Sequence, residues 1–224
     1  MAKWGAFLLT DTGAPFYTPD STPLALKGKA SASSYSANGY QIASVSMSVD
    51  ASRPWTVFIY TTQGAYCTVS RVGDVVTVTS SNPVNLAHDL TAYFFSIFPQ
   101  SVPKWGIAIW DEQGRCILTN ETRVLTDISA LGVEGNINAG TGIDQTLQGK
   151  YAVQPNNTGF ATGVIHTGQQ PRPWSSDISF TAIYNGNTTR IASGVKYTAP
   201  GSVQGLSYSN KRTRAMILDV SRYD

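Results

Sequence analysis

Charge is scarce in this sequence: 13% of its 224 residues are Asp, Glu, Lys or Arg, and the formal net charge is only +2. A nucleic-acid surface needs a dense lysine and arginine stripe, and none is present. The one basic run, Lys211-Arg212-Thr213-Arg214, is short and reads as the solvated approach to a strand. Histidine is scarcer still, limited to His88 and His166. A serine or cysteine nucleophile ordinarily needs a histidine base. His88 has Asp89 beside it, but neighbours in a strand point to opposite faces, and His166 sits at the mouth of a Gly/Pro loop. Cysteine is limited to Cys67 and Cys116, which lack metal-ligand spacing. With no secretory leader ahead of them, they are expected to be two buried free thiols. No apolar run approaches the length of a membrane span. "GTG" at 140–142 opens no helical pattern, and no Gly-x-Ser-x-Gly elbow occurs. Asp11, Asp20, Asp74, Asp111 and Glu112 occupy turn positions where carboxylates satisfy backbone N–H groups, so no pair is singled out for glycoside cleavage. The expectation is a non-enzymatic chain with no catalytic residue, no metal and no cofactor.

Alternation is abundant. Ala43, Val45, Met47 and Val49 alternate with serines, giving a strand with one apolar and one wet face. "WTVFIYTT" (55–62) is β-branched and aromatic, so it predicts a strand covered on both sides. "AYCTVSRVGDVVTVTS" predicts a hairpin turning at Gly73-Asp74, and Asn185-Gly186-Asn187 marks another turn. Residues 85–98 fit a turn or helical stub followed by a strand from Thr91. Helix formers are sparse elsewhere, so the fold class is all-β: an antiparallel β-sandwich, immunoglobulin-like or jelly-roll-like, with a second smaller β-domain. Five glycines between Leu131 and Lys150 predict a linker. The expected division is 1–128, a sandwich; 129–147, the linker; and 148–224, the C-terminal β-domain.

One segment is written twice. "KWGAFLLTDTG" (3–13) returns as "KWGIAIWDEQG" (104–114), and the correspondence runs ungapped over 22 residues to Leu24 and Leu125. Each copy reads as strand, glycine turn and return strand. Either there are two tandem domains, or one sandwich carries equivalent hairpins at its start and end. The Gly-rich break follows the second hairpin, which favours the latter. Trp4 and Trp105 are then expected in the core, with Gly5 and Gly106 allowing close backbone approach and Gly13 and Gly114 supplying positive φ at the turns.

Exposed aromatics raise a separate possibility. Trp174 follows Pro173, with Arg172 between Pro171 and Pro173, and Tyr184 and Tyr197 add amphipathic rings suited to a protein partner or a glycan.

The stretch "KWGAFLLTDTGAPFYTPDSTPLALKGK" resembles the opening of small structural proteins of tailed bacteriophages with long flexible non-contractile tails. Those proteins begin with Trp-Gly, a strand, an Asn/Asp-x-Gly turn and a Thr-Pro segment. "YFFSIFPQSVPKWGIAIWDEQGRCILTNETRVL" resembles their second signature. The likeness covers 3–30 and 91–127 and is weak over 148–224. It implies a virion component made in the host cytoplasm and placed at the tail tip or tail fibre. The implied partners are central-fibre or tip subunits and further copies of the chain, arranged with threefold symmetry about the tail axis. The alternatives are a receptor- or glycan-binding module of the tail, touching the bacterial surface, and a capsid decoration protein. The implied motifs are structural, so no catalytic residue is carried over.

Overall fold

The computed structural model describes residues 8–9, 15–17, 22–166 and 170–224. It is all-β, with two short 3-10 turns at Gly140–Gly142 and Ser221–Tyr223 as the helical content of the described residues. The centre is β6 (Trp55–Thr61), buried on both faces as its composition predicts. On one side it pairs along its length with β9 (Asp89–Ser96), which pairs in turn with β3 (Ala25–Ser33). On the other side it meets β14 (Tyr151–Val153) at Ile59 and, in parallel, β16 (Arg172–Tyr184) at Thr61. Beyond β14 lie β19 (Ala215–Asp219) and β12 (Ile128–Leu131). Flanking β16 are β17 (Thr188–Val195), which carries β13 (Gln145–Gln148), and β15 (Asn157–Ile165), which carries β18 (Val203–Asn210). The strand from 85–98 starts at Asp89, and a turn rather than a helix precedes it.

A second sheet lies across this one. It comprises β4 (Tyr35–Ala37), β5 (Tyr40–Ser48), β8 (Val75–Asn82) and β7 (Tyr66–Val72), in the order β4-β5-β8-β7. Alternation sorts its two faces. Ala43, Val45, Val76 and Val78 are buried, while Ser44 meets Thr79 and Ser46 meets Thr77 through hydroxyl contacts of 3.2 and 2.8 Å on the outside. The inner face packs on the side of the large sheet that carries Gly28, Phe94 and Val57, which share one ladder row. A Cβ at Gly28 would come within 2.7 Å of Met47 Cε, so the missing side chain lets the sheets approach.

The opposite face of β6 and β9 lines the inside of a curl. Phe58, Tyr93 and Phe95 are fully buried there, and the Tyr223 ring stacks edge-on against Phe95 at 5.0 Å. Each such aromatic contributes roughly 2–3 kcal/mol by leaving water. The curl tightens until β3 meets the segment leading into β12. An isolated bridge joins Ala25 to Val124, and Leu26 donates its N–H to the Arg123 carbonyl at 2.8 Å. Tyr223 reinforces this seam: its hydroxyl donates to the Val124 carbonyl (2.9 Å) and accepts from the Thr126 N–H (3.0 Å).

Three expectations are corrected here. Strands on both sides of residues 129–147 belong to one sheet and one buried cluster, which runs from Ala43 to Tyr223, so 1–128 and 148–224 are not separate sandwiches. The Gly-rich stretch is not a linker either, because it contributes β12 and β13. Its glycines serve turns and close approach: Gly140 has φ +61, and a Cβ there would lie 2.8 Å from the Arg212 nitrogen. The repeated hairpins also stand apart from the sandwich. β1 (Leu8–Leu9) with β2 (Pro15–Tyr17), and β10 (Ala108–Trp110) with β11 (Cys116–Thr119), each form a two-stranded ribbon. Their registers match: Leu8 pairs with Tyr17 as Ile109 pairs with Leu118, and both ribbons have an irregularity at the next step. The repetition is therefore one of backbone geometry as well as of letters.

Candidate functional site

Two surfaces of different character stand out. The first is the β10–β11 ribbon. Its turn is built by Asp111, whose carboxylate accepts the N–H groups of Gln113 (3.1 Å) and Arg115 (2.8 Å) and pairs with the Arg115 guanidinium at 2.6 Å. Partial burial opposes ionisation, but these bonds outweigh it and hold the carboxyl below its ordinary range. Gly114 completes the turn at φ +74. At the other end Gly106 has φ +121, and a Cβ there would collide with Asn120 Oδ1 at 2.1 Å. That oxygen accepts the Ile107 N–H at 3.1 Å. The ribbon thus holds its shape while presenting Trp105 (86% exposed), Ile107 (69%) and Trp110 (52%) to solvent. Beside it runs an apolar groove of about 400 Å³ lined by Ile107, Ile109, Leu118, Thr122, Val124 and Thr126. Trp105 is not a core residue, because no described strand lies over that side of the ribbon. Gly114 has the positive φ expected of it, whereas Gly106, expected to admit a neighbouring backbone, makes room for the Asn120 side chain instead. Trp4, Gly5 and Gly13 lie outside the described residues.

The second surface is a cleft of about 370 Å³ on the outer face of the four-stranded sheet, lined by Tyr40, Tyr66, Tyr197, Lys196 and several small polar residues. Its floor is two neighbouring cross-strand rows, Ile42–Ser81–Tyr66 and Thr79–Thr68. Asn38-Gly39, both at positive φ, turn β4 into β5 and fix Tyr40 at the rim. The wall is the chain leaving β17. The Lys196 N–H donates to the Asp177 carbonyl (2.9 Å), and the Tyr197 N–H donates to the buried Ser176 Oγ (2.8 Å). The Tyr40 and Tyr197 rings meet edge to face at 5.9 Å, with the Lys196 ammonium 5.2 Å from the Tyr197 ring centre. Burial, reinforced by the Asp177 charge, pushes the Tyr66 phenol up from its ordinary value, so it stays a neutral hydrogen-bonding group.

The four aromatic-site residues do not converge. Tyr197 lines this cleft. Tyr184 lies elsewhere, stacked on Tyr60 at 5.6 Å, with its hydroxyl donated to the Gly186 carbonyl. Trp174 is half-buried on β16 opposite Gly163, and Arg172 is exposed opposite Ile165.

Two polar clusters carried no sequence signal because their members are distant in the chain or ordinary in type. Asp224 accepts from Lys29 (2.6 Å), from Lys150 and from the Tyr93 hydroxyl (2.6 Å). Burial opposes its charge, but these donors prevail and hold the carboxyl down at about 2. All of these groups are mutually satisfied, so the cluster pins the chain over the curl. Ser80 Oγ lies 2.7 Å from His88 Nε2, a pairing that elsewhere activates a nucleophile. Here Ser80 is wholly buried and His88 nearly so, which keeps substrate from reaching them in this conformation. Cys67 and Cys116 are free and buried, as expected. Among the described residues no group of three or more His, Cys, Asp or Glu is arranged to hold a metal, and no helix is long and apolar enough to cross a membrane.

No protein-family model matches the chain, and searches of curated proteins and of solved structures likewise gave no match.

Proposed function

We propose that this chain is a non-enzymatic structural subunit of a bacteriophage virion, placed at the tip or fibre of a long flexible tail, where it contributes to assembly and host adsorption. The observation that carries the reading is the β10–β11 ribbon. Two tryptophans and an isoleucine stand in water beside an apolar groove, on a backbone that Asn120 and Asp111 hold in shape. Large exposed apolar groups on a rigid support suit a surface covered by neighbouring subunits. The low charge and hydroxyl-rich outer face fit the same setting.

Immunogold labelling of particles that carry the chain tests this directly. Label at the distal end of the tail is expected; label on the head would make it a capsid decoration protein, and particles without label would overturn both placements. Replacing Trp105 and Trp110 together by Ser should leave folding intact and prevent incorporation into tails.

The second reading, a receptor- or glycan-binding module on the same tail, is favoured by the tyrosine-lined cleft.

A further inference from the structure

We infer that the cleft between Tyr40, Tyr66 and Tyr197 is a binding site for one acidic sugar unit, a pyranose carrying a carboxylate. The inference deepens the surface-recognition reading and does not depend on where in a virion the chain sits. A pyranose ring has an apolar face of C–H groups and a rim of hydroxyls, so it needs aromatic rings and hydrogen-bonding groups in one small recess. This cleft supplies both. Its volume, about 370 Å³, falls at the small end of ligand pockets, which span roughly 300–1,000 Å³.

Most of the hydroxyls lining it are unused. Among the described residues, the hydroxyls of Tyr40, Tyr66, Tyr197, Thr68 and Ser81 make no hydrogen bond, whereas Thr79 meets Ser44 and the nearby Ser176 accepts the Tyr197 N–H. Ser176, which fixes the wall, is thus satisfied, while five hydroxyls facing the recess are free to bond a ligand. The site is also preorganised, since its floor is sheet and its wall is tied to β16.

The acidic preference comes from charge. Among the described residues Lys196 is the only formally charged side chain lining the cleft, the Asp177 carboxylate that acts on Tyr66 standing outside the lining, and Lys196 makes no ion pair with any of them. Its ammonium can therefore turn from the Tyr197 ring to a carboxylate without breaking a salt bridge.

The test is an NMR titration of the full chain with the methyl glycosides of glucuronic, galacturonic and N-acetylneuraminic acids, alongside methyl glucoside as the neutral control. At least one acidic glycoside should shift the amides of Tyr66, Thr68, Lys196 and Tyr197, and the neutral control should bind roughly tenfold more weakly. Tyr197→Ala should abolish the shifts while the rest of the spectrum stays native. Lys196→Gln should bring acidic and neutral sugars to equal affinity. No shift with any acidic glycoside, equal affinity for the neutral one, or unchanged binding by Tyr197→Ala would each overturn the inference. Gold label on tails together with a silent titration would sink this site alone; binding without tail label would sink only the placement in the tail.

Discussion

Leu125 donates its backbone N–H to the carbonyl of Leu24 at 2.8 Å, and these leucines are the matching last members of the two repeated segments. Antiparallel pairing of equivalent residues is the relation a local twofold axis creates. The repeats therefore meet end to end at the seam where the curled sheet closes, with the Ala25–Val124 bridge immediately beside them.

Glycine substitutions in the exposed ribbon should separate strain from collision. Gly114→Ala adds a side chain at φ +74 in open space and should cost about 1 kcal/mol. Gly106→Ala, at φ +121, lies further from the left-handed well and must also displace Asn120, which frees the Ile107 N–H. Its cost should be greater, on the order of 2–3 kcal/mol. Thermal melts of both variants check the order. The loss should be modest for Gly114 because the ribbon lies outside the main core.

Acid should act through Asp224. Its folded carboxyl is held at about 2 against an ordinary 3.8, so its contribution is complete above pH 3.8 and disappears as the pH falls towards 2. Asp224→Asn should be less stable than the wild type at neutral pH, by on the order of 1–2 kcal/mol, and the gap should close at the acid end. Tyr93→Phe should reproduce part of the loss. Urea melts at the two pH values decide this.

His88 should act in a higher window. Burial, its largest influence, lowers the imidazole below 6.5 against smaller upward pulls from the Leu86 carbonyl and Asp89. The unfolded chain then takes up the proton before the folded one. Stability should be level above pH 6.5 and decline as the pH falls from there to the lowered value, where the folded imidazole also takes up its proton. His88→Gln should flatten that part of the curve in a melting series.

Thiol chemistry gives a further check. Burial pushes the Cys67 thiol up to about 12, and a wholly buried thiol of that kind presents almost no thiolate. An aromatic disulfide reagent should leave Cys67 unreacted in the native chain and modify it after denaturation. Rapid native reaction at Cys67 would show that the sandwich opens readily.

The sequence disclosed those parts of the fold that depend on neighbours. The β7–β8 hairpin followed from Val/Thr alternation and Gly73-Asp74, and β16–β17 from Asn185-Gly186. The all-β class followed from the same pattern. What it hid depends on distance along the chain. Nothing near Ile59 says that it will meet Val153, or that Lys29 and Lys150 will share Asp224. The glycines of 129–147 resemble a linker because tight ordered turns and flexible tethers use the same residue. Trp105 suggested a core because hydrophobicity does not say whether the covering layer belongs to the same molecule. In the cleft, Tyr197 was legible as an amphipathic ring, whereas Lys196 looked like any surface lysine.

The seam has a mechanical consequence. Tension entering β3 from its leading end loads the Leu24–Leu125 and Leu26–Arg123 bonds first, before the longer ladder to β9. Under pull from that side the curled sheet would unlatch along one line while the packed sheets behind it kept their grip, giving the molecule a stage of extension short of unfolding.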